Sequence, residues 1–166
     1  MNRRGFTIVE LLIVIAIMGI LLVLGVVNLR SSQANARDTE RKVDIGALAT
    51  HIELFYSSSS TGRYPSTGLV ASGATSVQAN LPDIDVKSIT APGVVDPLDT
   101  IKVTTNSVET TAGVLPQPSI SEYLYQPIQS DGSLCTTGTQ QCCKFNLFYH
   151  LEVDDSVYVY RSKNQC

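Results

Sequence analysis

Glu10 is a carboxylate set among Phe6, Ile8, Val9, Leu11 and Leu12, at the head of a run from Leu11 to Val27 that holds no charge. A charge at the centre of a membrane-spanning helix costs about 2.5 to 3.5 kcal/mol, less near the interface, so an acid here calls for a cationic partner. The run supplies none. Cutting the Gly5-Phe6 bond would create one, an amine at Phe6 four residues before Glu10. That is one helical turn, within reach of its own Glu10 or of the Glu10 of a helix packed alongside. Arg3 and Arg4 precede the run and hold that end on the cytoplasmic side. A secretory signal has an apolar stretch of about 7 to 15 residues and a small-x-small cleavage site. This stretch is longer and ends in Gly25-Val26-Val27-Asn28-Leu29-Arg30, so processing is expected before the run. On residue type alone two plainer readings stand beside this one: a membrane anchor, and a carboxylate snorkelling at the interface.

The other reactive side chains group less specifically. Cys135, Cys142, Cys143 and Cys166 all lie in the last 32 residues, which points to local disulfides formed in an oxidising compartment. No CxxC pair accompanies them and the histidines are only His51 and His150, so neither zinc nor another metal is expected. Both histidines are isolated, and Asp83, Asp85, Asp96 and Asp99 read as turn formers. No nucleophile, base and orienting acid come together in a recognisable motif, so the chain does not read as an enzyme and no cofactor is expected. With 12 basic and 15 acidic residues the net charge is −3, and loss of Arg3 and Arg4 takes it to −5. Nucleic acid is not an expected partner.

The elements that would position these groups follow from the periodicity. Beyond Arg30 the apolar run gives way to an amphipathic pattern with Ile45, Leu48, Ile52 and Phe55 on one helical face. A helix from Phe6 to about Tyr56 is roughly 75 Å long, more than twice a bilayer core. The charges from Arg37 to Asp44 pair within the helix, Asp38 with Lys42 and Arg37 with Glu40, and read as a solvated face. After the Ser57 to Thr61 tract come short β-prone runs, Ile101 to Thr105, Tyr123 to Gln126, Lys144 to Glu152 and Ser156 to Arg161. Residues 67–118, broken by prolines, read as a variable loop region. Lys144 to Val159 reads as a hairpin turning at Asp154-Asp155, with Phe145, Leu147, Tyr149, Leu151 and Val153 facing Leu48, Ile52 and Phe55. That register sets Cys143 opposite Cys166 and leaves Cys142 for Cys135; a shift of one residue would exchange Cys142 and Cys143.

The string from Arg4-Gly5-Phe6-Thr7-Ile8-Val9-Glu10 to Ile17 resembles the class III signal of type IV pilins and of the pseudopilins of type II secretion. The resemblance implies that a prepilin peptidase cleaves after Gly5 and methylates the new amine on Phe6, and that Glu10 neutralises the amine of an adjacent subunit during assembly. Asp44-Ile45, Leu48, Ile52-Glu53, Phe55-Tyr56 and Gly62-Arg63-Tyr64-Pro65 are similar to the stem and stem end of the major pseudopilin and of short pilins. Many family members carry proline where this chain has Val27, and their helix melts between it and the glycine matching Gly19. A helix interior loses about 3 kcal/mol to proline against about 1 to glycine, so a weaker or absent melt is expected here. The cysteine-closed end resembles that of pilins, and the calcium loop of pseudopilins has no clear counterpart.

The expected architecture is thus the α+β type IV pilin fold: a long N-terminal helix packed on a small antiparallel sheet. It divides into a leader (1–5), a transmembrane and polymerisation helix (6–29), an amphipathic stem (30–56) and a β-rich head (57–166). The resemblance implies a structural subunit of an extracellular filament, homo-oligomeric, held in the membrane before assembly. Its partners would be the prepilin peptidase and the pilus assembly platform with its ATPase. A pseudopilin, or a minor pilin that binds surfaces or DNA, is the alternative. Mass spectrometry of the mature protein is expected to find Phe6, N-methylated, as the first residue; a mature form retaining Met1 would rule out processing at Gly5.

Overall fold

The computed structural model describes residues 6–81, 83–96 and 100–165, without the side chains of Val27 and Asn28. Gly5, Asp99 and Cys166 lie outside the described residues. One helix, α1 (Ile8–Ser58), forms the spine and runs unbroken through Gly19 and Gly25. A 3-10 turn (Thr67–Val70), α2 (Ala74–Asn80) and a second 3-10 turn (Val86–Ile89) follow. The strands are β1 (Ile101–Val103), β2 (Tyr123–Gln129), β3 (Cys142–Leu151) and β4 (Ser156–Arg161), lying side by side in that order. The architecture is α+β and pilin-like.

The sheet is mixed where a wholly antiparallel one was expected, because β1 pairs parallel with β2. Parallel neighbours need a crossover of about a dozen residues or more, and residues 104–122 are long enough to supply it. Pro127 sits inside β2, opposite Phe145. The backbone N–H and C=O of Phe145 both turn towards Ser162, so the ring nitrogen of Pro127 points away from β3, to the side where β1 has already ended. The missing donor therefore costs no ladder bond.

Ile45, Leu48, Ala49 and Ile52 of α1 pack on Tyr123, Tyr125, Phe145 and Leu147 of the sheet. The stretch expected as loop carries the two 3-10 turns and α2, and these feed Leu69, Val70, Val77, Leu81 and Ile89 into the same core. Elements of four to seven residues are too short to show a period. On the sheet's other face Leu124 and Phe148 are covered by Val114 from the crossover.

The β3–β4 turn differs from the expected one. Leu151 pairs with Ser156, so the connection is the four residues 152–155 rather than a two-residue turn at Asp154-Asp155. The cause lies on α1: the carboxylate of Asp38 accepts from the backbone N–H groups of Glu152 (2.8 Å) and Val153 (2.9 Å), while Asp155 takes a positive φ of 51°. The register moves by two residues, which preserves the side each residue faces. Phe145, Leu147 and Leu151 keep their places in the core, whereas Val153 is lost to the turn.

The charges between Arg37 and Asp44 are only in part a solvated helical face: Lys42 is exposed, while Asp38, Arg41 and Asp44 are buried. Arg41 is 1% exposed, with Nη1 2.7 Å from Asp38 Oδ1 and Nε donating to the Ile120 carbonyl at 3.0 Å. Arg37 reaches across to Glu152, with Nε 2.8 Å from Oε2. The intrahelical spacing could not reveal a partner 115 positions along the chain.

Asp44 is buried and accepts from the Tyr123 hydroxyl at 2.8 Å. Burial pushes its carboxyl from 3.8 up to about 6, against the opposing pull of the Tyr123 hydrogen bond. Between those values the folded state holds a proton that the unfolded state has released, so this group lowers stability as pH rises through the window, with its full cost above about 6. Asp44→Asn keeps an acceptor for Tyr123 and carries no charge. It is expected to raise the thermal midpoint in detergent micelles by a few degrees at pH 7 to 8 and to lose that gain near pH 4. A gain of equal size at both ends of the range would contradict the burial argument.

Candidate functional site

Thr7, Ile8, Val9 and Glu10 form a capping box at the start of α1. Thr7 Oγ1 accepts from the Glu10 backbone N–H at 3.2 Å, and Glu10 Oε2 accepts from the Thr7 N–H and from its hydroxyl, both at 2.9 Å. The first-turn carboxylate also lies at the positive end of the helix dipole. Both of these bonds converge on one oxygen of Glu10. The T-x-x-E spacing was present in the sequence and is the signal by which this second role of Glu10 could have been read.

Phe6 is 86% exposed, and every described side chain from Phe6 to Leu29 is exposed as well. The helix is long and apolar enough here to cross a membrane. A helix apolar on all sides needs lipid or other helices around it. Gly19 and Gly25 sharpen the point. A methyl group added at either would meet nothing within 4 Å among the described residues. Each glycine costs the helix up to about 1 kcal/mol relative to alanine, so packing within the chain does not account for them.

The rest of the chain fixes where this helix stands relative to the head. The Asp38, Arg41 and Glu152 cluster secures the lower part of the stem, and Arg37 beside Glu152 holds the Glu152 carboxyl below its ordinary range. Near the top, Glu53 accepts from the Tyr64 hydroxyl at 2.7 Å and from the Lys163 N–H at 2.8 Å. Burial and the neighbouring Glu53 push the Tyr64 hydroxyl up to about 12. Cys135 is joined to Cys142, and the carbonyls of these two cysteines accept from Thr67 and Tyr64. Cys143 is also disulfide-bonded; Cys166 lies outside the described residues. Extended past Arg161, the observed register would place position 164 across from Cys143, so strand register does not align it with Cys166.

The remaining sequence candidates are dispersed. His51 contacts the Ala47 carbonyl through Nδ1, and His150 Nε2 lies 3.2 Å from Asp155 Oδ1. Asp85 caps the 3-10 turn at Lys87, and Asp83 holds a turn at φ 68°. Among the described residues no three His, Cys, Asp or Glu side chains converge as a metal site would require.

Residues 1–26 match the family model described as the prokaryotic N-terminal methylation motif. A relative from Myxococcus xanthus (strain DK1622), named as a type IV major pilin protein, PilA, is 43% identical over 56 residues. That match covers 34% of this chain and 26% of the relative, so the chain spans about a quarter of that protein's length. No solved structure gives a significant match.

Loss of a side-chain cap costs a helix about 0.5 to 2 kcal/mol, or roughly 2- to 30-fold in a local opening equilibrium. Thr7→Val is therefore expected to speed hydrogen exchange at the Glu10 amide in micelles by that factor, while Thr7→Ser leaves it near the native rate. Equal protection in the two variants would show that the cap does not hold this turn.

Proposed function

We propose that the chain is a type IV pilin and serves as a structural subunit of an extracellular type IV pilus. The observation that carries this reading is a folded head on a stem whose first half is apolar all round and covered by none of the other described residues, with one carboxylate at its start. Before assembly the apolar half stands in the membrane. After cleavage at Gly5 by a prepilin peptidase, the Phe6 amine of one subunit pairs with Glu10 of its neighbour. The pairing lets two charges neutralise each other where neither is well solvated.

Assembly then exchanges lipid contacts for helix contacts, in which small residues let backbones approach closely. Gly19 and Gly25, with Ala16 beside Gly19 in a shallow apolar groove, suit that purpose. The assembly platform and its ATPase are the machinery this route calls on. The Cys135-Cys142 disulfide suits a head that folds in an oxidising compartment, as the periplasm and the cell surface both are.

Glu10→Gln is expected to leave membrane insertion, processing and the Cys135-Cys142 disulfide intact while lowering filament yield by roughly tenfold or more, the scale of one charge-assisted bond. Glu10→Ala is expected to behave alike. Sheared cell-surface protein and membrane-retained protein, quantified side by side, check this. Filaments at native abundance from either variant would contradict the pairing.

A further inference from the structure

The Gly62-Arg63-Tyr64-Pro65 segment is only partly accounted for by the fold. Tyr64 is buried and bonded to Glu53, and the Pro65 carbonyl accepts from Tyr125. Arg63 is half-buried, yet among the described residues it makes no hydrogen bond and no ion pair. It lines a cleft of about 400 Å³ at the end of α1, and it is the one charged residue among those lining it.

The other walls are rich in hydroxyl and amide groups. Ser59 and Thr61 hydrogen-bond each other through their hydroxyls, Ser60 has no partner among the described residues, and the Asn80 side chain donates to Ser76 with its amide oxygen left for a further donor. Phe55 supplies an apolar wall and, like Asn80, also lines a larger cleft that carries Asp83 and no Lys or Arg. The volume falls in the range of small-molecule sites, about 300 to 1,000 Å³. The cleft also lies at the end of the stem farthest from the apolar half, roughly 42 Å beyond Arg30 at 1.5 Å per residue, where an external ligand can reach it.

We infer that the Arg63 cleft binds an acidic sugar, with the acid group on the Arg63 guanidinium, ring hydroxyls on the Ser59 to Thr61 segment and Asn80, and a ring face against Phe55. A guanidinium left without an anion among the described residues is suited to bidentate recognition of a carboxylate or phosphate. The surrounding hydroxyls supply the donors and acceptors that a bare anion would not need. On a chain with a net charge of −3, long-range attraction does not gather anions, so recognition rests on the local geometry.

The test is a titration of the full chain in detergent micelles, followed by amide NMR shifts, with glucuronate, glucose 6-phosphate, glucose and inorganic phosphate as separate probes. At least one acidic sugar is expected to saturate shifts at Ser60 and Arg63, more tightly than glucose or phosphate; whichever binds better identifies the acid group. Arg63→Gln is expected to weaken binding by about tenfold or more, Arg63→Lys by less, because a lysine keeps the charge without the planar fork. Asp83→Asn in the larger cleft, and Lys163→Gln in a third cleft lined by Glu53, Leu54 and Ser57, are expected to leave it unchanged. The inference is overturned if neither acidic sugar binds, if phosphate alone binds as tightly as glucose 6-phosphate, if Arg63→Gln binds as the native chain does, or if Lys163→Gln loses as much.

Discussion

The first half of α1 presents apolar side chains on every side and finds no cover among the other described residues. Burying apolar surface is worth about 25 cal/mol per Å², so a helix of this kind cannot stand in water and must be surrounded by lipid or by other helices. Much of the remaining structure answers to that constraint. The core begins at Ile45, well beyond the apolar run, which leaves Phe6 to Leu29 free for outside contacts. The helix is continuous, so a single lever joins the head to the apolar half. At the start of the lever, Glu10 bonds to Thr7 within its own turn, so its charge has local donors even before a neighbour arrives.

The head is held to that lever by carboxylates spaced along the stem. Asp38 takes two backbone N–H groups of the β3–β4 turn, Asp44 takes the Tyr123 hydroxyl of β2, and Glu53 takes Tyr64 and the backbone of Lys163. Each reaches a different part of the head. A buried carboxylate is tolerated only with specific donors, and a displaced head would leave these acids without them. The apolar face of α1 supplies attraction without direction, while the acids fix the height and rotation of the head on the stem. Asp44 bears the cost of this arrangement as a raised proton affinity, and Asp38 sets the length of the turn it binds.

Local chemistry was legible from the sequence wherever it depended on neighbours in the chain. The apolar run, the Ile45, Leu48, Ile52 and Phe55 face, β4 from Ser156 to Arg161 and the alternation of Phe145, Leu147 and Leu151 all follow from period and composition. What escaped was tertiary. Arg37 and Asp38 have partners at Glu152 and Val153, so helix spacing suggested intrahelical pairs that do not dominate. The turn was misplaced because Asp154-Asp155 has turn chemistry, whereas the acceptor that decides its length sits on another element. The parallel β1 pairing depends on a crossover with no local signature, and Pro127 hid the end of β2 because the side its nitrogen faces is known only once β1 is placed. For the candidate site, Glu10 stood out as a charge in an apolar run, while its bond to Thr7 required reading four residues as a cap.

A cryo-electron microscopy reconstruction of filaments sheared from cells that make this chain tests the central claim most directly. The account predicts apolar halves of α1 bundled along the filament axis, heads outward, and the Glu10 carboxylate of one subunit within hydrogen-bond distance of the Phe6 amine of another. Filaments joined through their heads, with the apolar halves splayed apart or Glu10 facing no neighbouring amine, would contradict it.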